Sequence, residues 1–201
     1  MSVKVQDSNN NGNEFVFTVD GIFEEKAELI LIESVRQQDQ LRVKGFGEKI
    51  KEKYMLESYE ALFLIHIKRL ILEKKSKILE FSELLQILLK KDPAIFTKFL
   101  IYRDLRVRGY VAKEGFGFGN DFRVYERGEY TKKPAKYVVF GLNEGLGIKT
   151  GNLYENIDSI EKMGKEGIIA VIERRGEIIY YKINKKRFDK NEKFIINNIK
   201  S

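Results

Sequence analysis

The chain has 201 residues and carries 37 Lys and Arg against 30 Asp and Glu, a formal net charge of +7 that favours polyanionic partners, nucleic acid first. A composition of 43% hydrophobic and 12% aromatic residues can fill one ordinary core or two small ones and argues against disorder throughout. The lack of cysteine excludes disulfides, thiolate zinc sites and cysteine nucleophiles, and the single histidine, His66, excludes a histidine-rich metal site.

Residues 1–13 are polar, with no apolar segment of the kind a signal peptide needs, and no stretch approaches the roughly 20 apolar residues of a membrane helix; a soluble, cytoplasmic protein is expected. The stretch 15–25, FVFTVDGIFEE, reads as two short strands joined by a hairpin near Asp20-Gly21, and 27–34, AELILIES, is rich in β formers. QLRVKGFGEK, 40–49, predicts a further short strand and a turn. From 57 to 75 the pattern changes, with Ala61, Leu62, Ile65 and Leu72 at helical spacing in ESYEALFLIHIKRLILEKK, a buried helix. KILEF follows as a short extended link, and Ser82 is placed to cap a second helix over ELLQILLKK. Asp92-Pro93 supplies a capping acceptor and a first-turn proline for a third helix, which runs to about Arg108 and stops at Gly109.

Beyond Gly109 the apolar period falls to two. YVAKEG, DFRVYE, KYVVFGL, IIAVIER and EIIYYKI read as strands separated by glycine-rich turns, with NIDSIEKMGK a helix or helical turn between the third and fourth. The expected architecture is α+β: a small mixed α/β domain over 1–91, then a β-rich domain with flanking helices over 92–201. The latter includes the tail 181–201, where seven Lys and Arg face two acids.

The joint YRDLRVRGYVAKEGFGFGNDFRVYERG carries a specific pattern. Tyr102, Asp104, Leu105, Arg106, Arg108, Gly109, Tyr110 and Val111 fit Y-x-D-L-R-x-R-G-Y-V, and Asp121, Phe122, Val124 and Tyr125 fit a following D-F-x-V-Y strand. This resembles the opening of the catalytic domain in the archaeal tRNA-intron endonucleases. AKYVVFGLNE and GKEGIIAVIERRGEIIYYKI are similar to the family's next strands, and GFGEKIKEKYMLESYEALFLI to its N-terminal domain, so the likeness covers roughly 45–183.

The resemblance implies a metal-free, cofactor-free reaction. An RNA 2′-hydroxyl attacks its own phosphate and the 5′-oxygen leaves, giving 2′,3′-cyclic phosphate and 5′-hydroxyl ends. A tyrosine, a histidine and a lysine serve as base, acid and phosphorane-stabilising cation. The tyrosine maps to Tyr125 and the lysine to Lys165, but the histidine position, three residues before Tyr137, is Pro134. Proline has neither a titratable group nor a backbone N–H. The resemblance therefore implies the structural subunit of an α2β2 enzyme acting on precursor tRNA with a triad-bearing partner. The alternative is an endoribonuclease in its own right, with Lys132 or Lys133 as substitute acid. Arg106, Arg108, Lys132, Lys133, Lys185, Lys186 and Arg187 are the expected RNA contacts. Ile178, Ile179, Tyr180 and Tyr181 of the last strand, with Glu155 and Asp158 beside Glu161, are the expected subunit contacts.

Overall fold

In the computed structural model, which describes residues 17–25, 27, 29–117, 121–143 and 150–185, β1 (Val19–Glu24) lies between two partners of opposite sense. It pairs antiparallel with β2 (Leu29–Ile32) and parallel with β5 (Leu70–Lys74), a strand some fifty residues further along the chain. With β3 (Glu48–Ile50), β4 (Lys53–Leu56) and β6 (Lys77–Ile78) they form a six-stranded mixed sheet in the order β3-β4-β2-β1-β5-β6. The helices α1 (Val35–Val43), α2 (Ser58–His66) and α3 (Phe81–Leu89) belong to this half. After α4 (Ile95–Val107) comes the second sheet, β7 (Val111–Glu114), β8 (Asp121–Tyr125), β9 (Tyr137–Asn143), β10 (Glu166–Ile172) and β11 (Ile178–Ile183), in the order β11-β10-β9-β8-β7. The helix α5 (Thr150–Lys162) links β9 to β10, which run parallel. The described residues thus form the expected α+β protein, with five helices and two mixed sheets.

The second half follows its sequence pattern closely, and the first half departs from it. No hairpin forms at Asp20-Gly21, because β1 runs straight through both. Gly21 is there for closeness: a Cβ on it would stand 3.0 Å from Leu70 and 3.3 Å from both Ile32 and Leu72. The stretch 40–49 is not a strand at its start, since α1 occupies it as far as Val43 and only Glu48–Ile50 is extended.

The long helix expected over 57–75 stops at His66. Lys68 takes a left-handed φ of 58°, and the chain turns into β5. Leu70 and Leu72 then face inward while Ile71 and Glu73 face out. That alternation serves a strand as well as the same letters serve a helix, and pairing with β1 decides between them. Ser82 lies inside α3 rather than before it, and the reciprocal cap there is made by Glu80 and Glu83, the Glu80 N–H donating to Glu83 Oε2 at 3.1 Å. Asp92 does open the next turn, its Oδ1 accepting from the Ala94 N–H at 2.9 Å.

One apolar core spans both sheets. Phe46, Tyr59, Phe63, Tyr102 and Phe122 meet at its centre, with Tyr59 and Tyr102 ring centroids 4.8 Å apart and Tyr59 and Phe122 at 5.1 Å. The opposite face of the second sheet is covered by α5, where Ile160 packs on Val138 and Phe140. The alternation of β9 divides its residues between these two cores.

The seam between the halves is polar as well as apolar. The Lys113 ammonium, on β7, reaches Glu60 Oε1 of α2 at 2.8 Å and the Gly47 carbonyl at 2.9 Å. The other Glu60 oxygen accepts from the Gly47 and Glu57 N–H groups at 2.8 and 3.1 Å. Both side chains are buried, 7% and 0% exposed, so the charges have been taken out of water and each is met by several hydrogen bonds. Gly47 takes a φ of 66°, and a Cβ there would stand 2.4 Å from the Tyr54 ring. This fixes the loop that carries Phe46 into the seam.

Candidate functional site

The end of the second sheet where β8 stops and β9 and β10 begin gathers the chemistry. Backbone bonds tie it across three strands: the Lys136 N–H donates to the Val124 carbonyl and the Glu166 N–H to the Lys136 carbonyl, both at 3.0 Å. This brings the chain at Tyr125, at Pro134–Lys136 and at Lys165 onto neighbouring strand ends, although Lys165 comes 30 residues after Ala135. The Lys165 ammonium donates to the Ala135 carbonyl at 2.6 Å, next to Pro134, and lies 5.8 Å from the centroid of the Phe116 ring. Among the described residues no carboxylate pairs with it. Tyr125 is half-buried, and the Tyr130 ring meets it edge-on with centroids 5.0 Å apart.

The connecting loop is pinched at its base. Glu126 Oε1 accepts from the Lys136 ammonium at 2.6 Å and from the Tyr137 hydroxyl at 3.0 Å. These two hydrogen bonds, Lys136 first, hold the Glu126 carboxyl below its ordinary range. Lys132, Lys133 and Pro134 stand exposed at the loop's crown, with Lys133 3.1 Å from Glu129. His66 lies elsewhere. Its ring is near those of Phe81 and Phe99, at 6.0 and 5.8 Å, and burial followed by the Arg103 charge pushes its pKa down.

The basic residues singled out in the sequence divide by what they touch. Arg106 donates to the Lys44 carbonyl at 2.8 Å and lies over the Phe46 ring at 4.1 Å, so its guanidinium staples the two halves together. Arg108 is bound to Asp104 at 2.6 Å, and Asp104 in turn accepts the Tyr180 hydroxyl at 2.7 Å. The acid raises the Arg108 pKa further. Lys185 bonds to Asp158 through its ammonium and to Glu161 through its N–H, at 3.0 Å for the latter. Lys186 and Arg187 lie outside the described residues. Lys132 and Lys133 keep the exposure that a phosphate contact needs.

The last strand divides in the same way. β11 is an edge of the sheet; Ile178 and Tyr180 pack on the chain's own core, while Ile179 and Tyr181 are 38% and 52% exposed. Alternation thus leaves two of the four expected contact residues facing solvent. Of the acids, Glu155 is exposed, whereas Asp158 is bonded within the chain to Lys162 and Lys185, which hold its carboxyl at about 2. Phe116 and Lys136 were not singled out from the sequence. The only signal for Phe116 was its place in a glycine-rich turn, and for Lys136 its place among several similar lysines.

Known proteins resemble this chain in both halves. The model of the tRNA intron endonuclease N-terminal domain matches residues 22–85, and that of the catalytic C-terminal domain matches residues 95–180. A tRNA-splicing endonuclease of Methanococcus vannielii is 35% identical over 143 residues, 70% of this chain and 80% of the relative. One of Thermococcus onnurineus is 31% identical over 143 residues, 71% and 82%. One of Pyrococcus furiosus is 26% identical over 176 residues, 87% and 97%. With both domain models matched in order on a fold that joins them through one core, the chain belongs to the tRNA intron endonuclease family.

Proposed function

We propose that this chain is the non-cutting subunit of a tRNA-splicing endonuclease. It assembles two-plus-two with a triad-bearing partner that excises introns from precursor tRNA, leaving 2′,3′-cyclic phosphate and 5′-hydroxyl ends. The observation that carries this reading is Pro134. It stands exposed on the loop that meets Tyr125 and Lys165, where an acid for the leaving 5′-oxygen is needed, and it has no proton to give. The one histidine of the chain packs against Phe81 and Phe99 instead.

The substitute-acid reading has less support. Lys132 and Lys133 are exposed and Lys133 is ion-paired with Glu129, so neither stands in the desolvated surroundings in which a lysine serves as an acid near neutrality. In the proposed complex this chain contributes the edge strand β11, with Ile179 and Tyr181 outward, and the lysines of the 126–136 loop. Two cuts at a fixed separation need two active sites held rigidly, and a cytoplasmic assembly with non-cutting subunits between the cutting ones supplies that spacing.

The test is cleavage of a precursor tRNA by this chain alone, and by this chain mixed with a triad-bearing family member from the same genome. No product alone and full cutting in the mixture are expected. Cutting by the chain alone, abolished by Tyr125→Phe, overturns the reading in favour of the substitute acid. Pro134→His then asks whether the missing acid is all that the chain lacks.

A further inference from the structure

The loop between β8 and β9, residues 126–136, is held more firmly than an exposed connection needs. Thr131, at its crown, takes a left-handed φ of 70°. A β-branched side chain crowds the backbone in that conformation, and such strain persists only where the surroundings enforce it. Part of the enforcement lies within the loop: the Lys132 and Lys133 N–H groups both donate to the Glu129 carbonyl at 3.0 Å, and the Glu129 N–H to the Glu126 carbonyl at 3.1 Å. The rest comes through Tyr130. Its half-buried ring meets Tyr125 of β8 edge-on, at 5.0 Å between centroids. It also reaches the first half of the chain, since a Cβ on Gly45 would stand 3.2 Å from Tyr130 Cε1 and 2.5 Å from Val111. Gly45, with a φ of 75° and no side chain, leaves the space that the ring edge enters. Tyr130 thus anchors the loop on two elements outside it, and the residues that follow the strained turn are the exposed Lys132 and Lys133.

We propose that Tyr130 is a positioning residue for RNA binding: seated between Tyr125 and Gly45, it holds the turn at Thr131 and so fixes where Lys132 and Lys133 meet the phosphates of the substrate. The inference rests on the reading that these two lysines contact RNA. Lysine carries its charge on a flexible stem. A loop free to move beneath it would add backbone freedom to what binding must freeze, whereas an anchored loop leaves only the side chain to order. Lys133 lies 3.1 Å from Glu129, a pair with an exposed lysine that holds weakly in water, so a phosphate can take the place of the carboxylate.

The experiment measures binding of the full chain to a precursor tRNA transcript between about 50 and 200 mM salt, with urea unfolding of each variant to establish that it is folded. The double variant Lys132→Ala/Lys133→Ala should weaken binding about tenfold and lower the salt slope by about two, one for each phosphate contact. Tyr130→Ala removes no charge, yet it should weaken binding about threefold to tenfold and lower the slope by about one. Tyr130→Phe, which keeps the ring, should bind as wild type does. Tyr130→Leu, which keeps apolar bulk without the flat ring, should act as Tyr130→Ala does and guards against a loss of fold. Added to the double lysine variant, Tyr130→Ala should change affinity by less than about twofold, because nothing is left for it to position. Folded Tyr130→Ala and Tyr130→Leu with wild-type affinity and salt slope, beside a weakened double lysine variant, overturn this inference only. An equal loss from Tyr130→Ala with and without the lysines also overturns it, by making the tyrosine's part independent of them. A double lysine variant that binds as wild type does overturns the reading that these lysines contact RNA, and this inference with it.

Discussion

Lys113 and Lys165 are both lysines drawn in from the surface, and their surroundings differ in one respect that matters. At the seam, Lys113 meets the Glu60 carboxylate and a carbonyl, and Glu60 meets two N–H groups, so the charges cancel in a dry setting. At the sheet end, Lys165 meets a carbonyl and an aromatic ring, and its charge is not cancelled by any described carboxylate. The first arrangement is closed and structural. The second leaves a positive charge in a half-buried place, which a ligand phosphate can complete. Charge count alone does not separate them; the identity of the partner does.

The largest effect that can break this contrast is at the seam. Lys113→Met leaves the Glu60 carboxylate buried without its cation and is expected to lower unfolding stability in urea by about 3–5 kcal/mol. Adding Glu60→Gln should recover part of the loss, because the amide oxygen still accepts while the charge is gone. A cost no larger than that of Lys165→Met would end the distinction between the two lysines. Next comes Arg106→Ala, which removes a charge-assisted bond to Lys44 and the contact over Phe46. It should cost about 1.5–3 kcal/mol in the same measurement and leave RNA affinity unchanged when the chain is kept folded. A selective loss of RNA binding would return Arg106 to the RNA surface.

The tie from Asp158 to Lys162 and Lys185 is expected to act through pH. Its carboxyl sits at about 2 in the folded chain, against about 3.9 for an unperturbed aspartate. Because the folded value is the lower, the contribution is complete above about pH 4 and is lost as pH falls toward 2. Melting temperature should therefore fall less steeply across that window in Asp158→Asn than in the wild type. Smallest of all, on the proposed non-cutting role Tyr125→Phe in the reconstituted complex should change the cleavage rate by less than about twofold. A loss of a hundredfold would make Tyr125 a working base.

The two halves of the chain were unequally legible. The five strands expected after Gly109 alternate clearly and are separated by glycines, and among the described residues each forms where its pattern places it. Before Asp92 the apolar runs fit either period. Ile65 and Leu72 read as one helix until β1 is known to lie beside β5, and Gly21 reads as a turn until Leu70 and Leu72 are found against it. Of the candidate site, Tyr125 and Lys165 were visible through the resemblance, and the structure places both by the Pro134–Lys136 loop. Phe116 was not visible, because an aromatic in a glycine-rich turn has no period to mark it.

Composition and order alone determined that this chain has one histidine, no cysteine, the Y-x-D-L-R-x-R-G-Y-V joint, and proline at the position where the resemblance sets the family's histidine. Those are properties of letters and their spacing, and no folding can put a histidine where the chain has none. Only the tertiary structure decided that Arg106 joins the halves, that Asp158 is answered by its own chain, and that Phe116 and Lys165 share a surface. Each depends on residues brought together from distant parts of the chain, and a charged or aromatic side chain takes its role from the partner that long-range packing sets beside it.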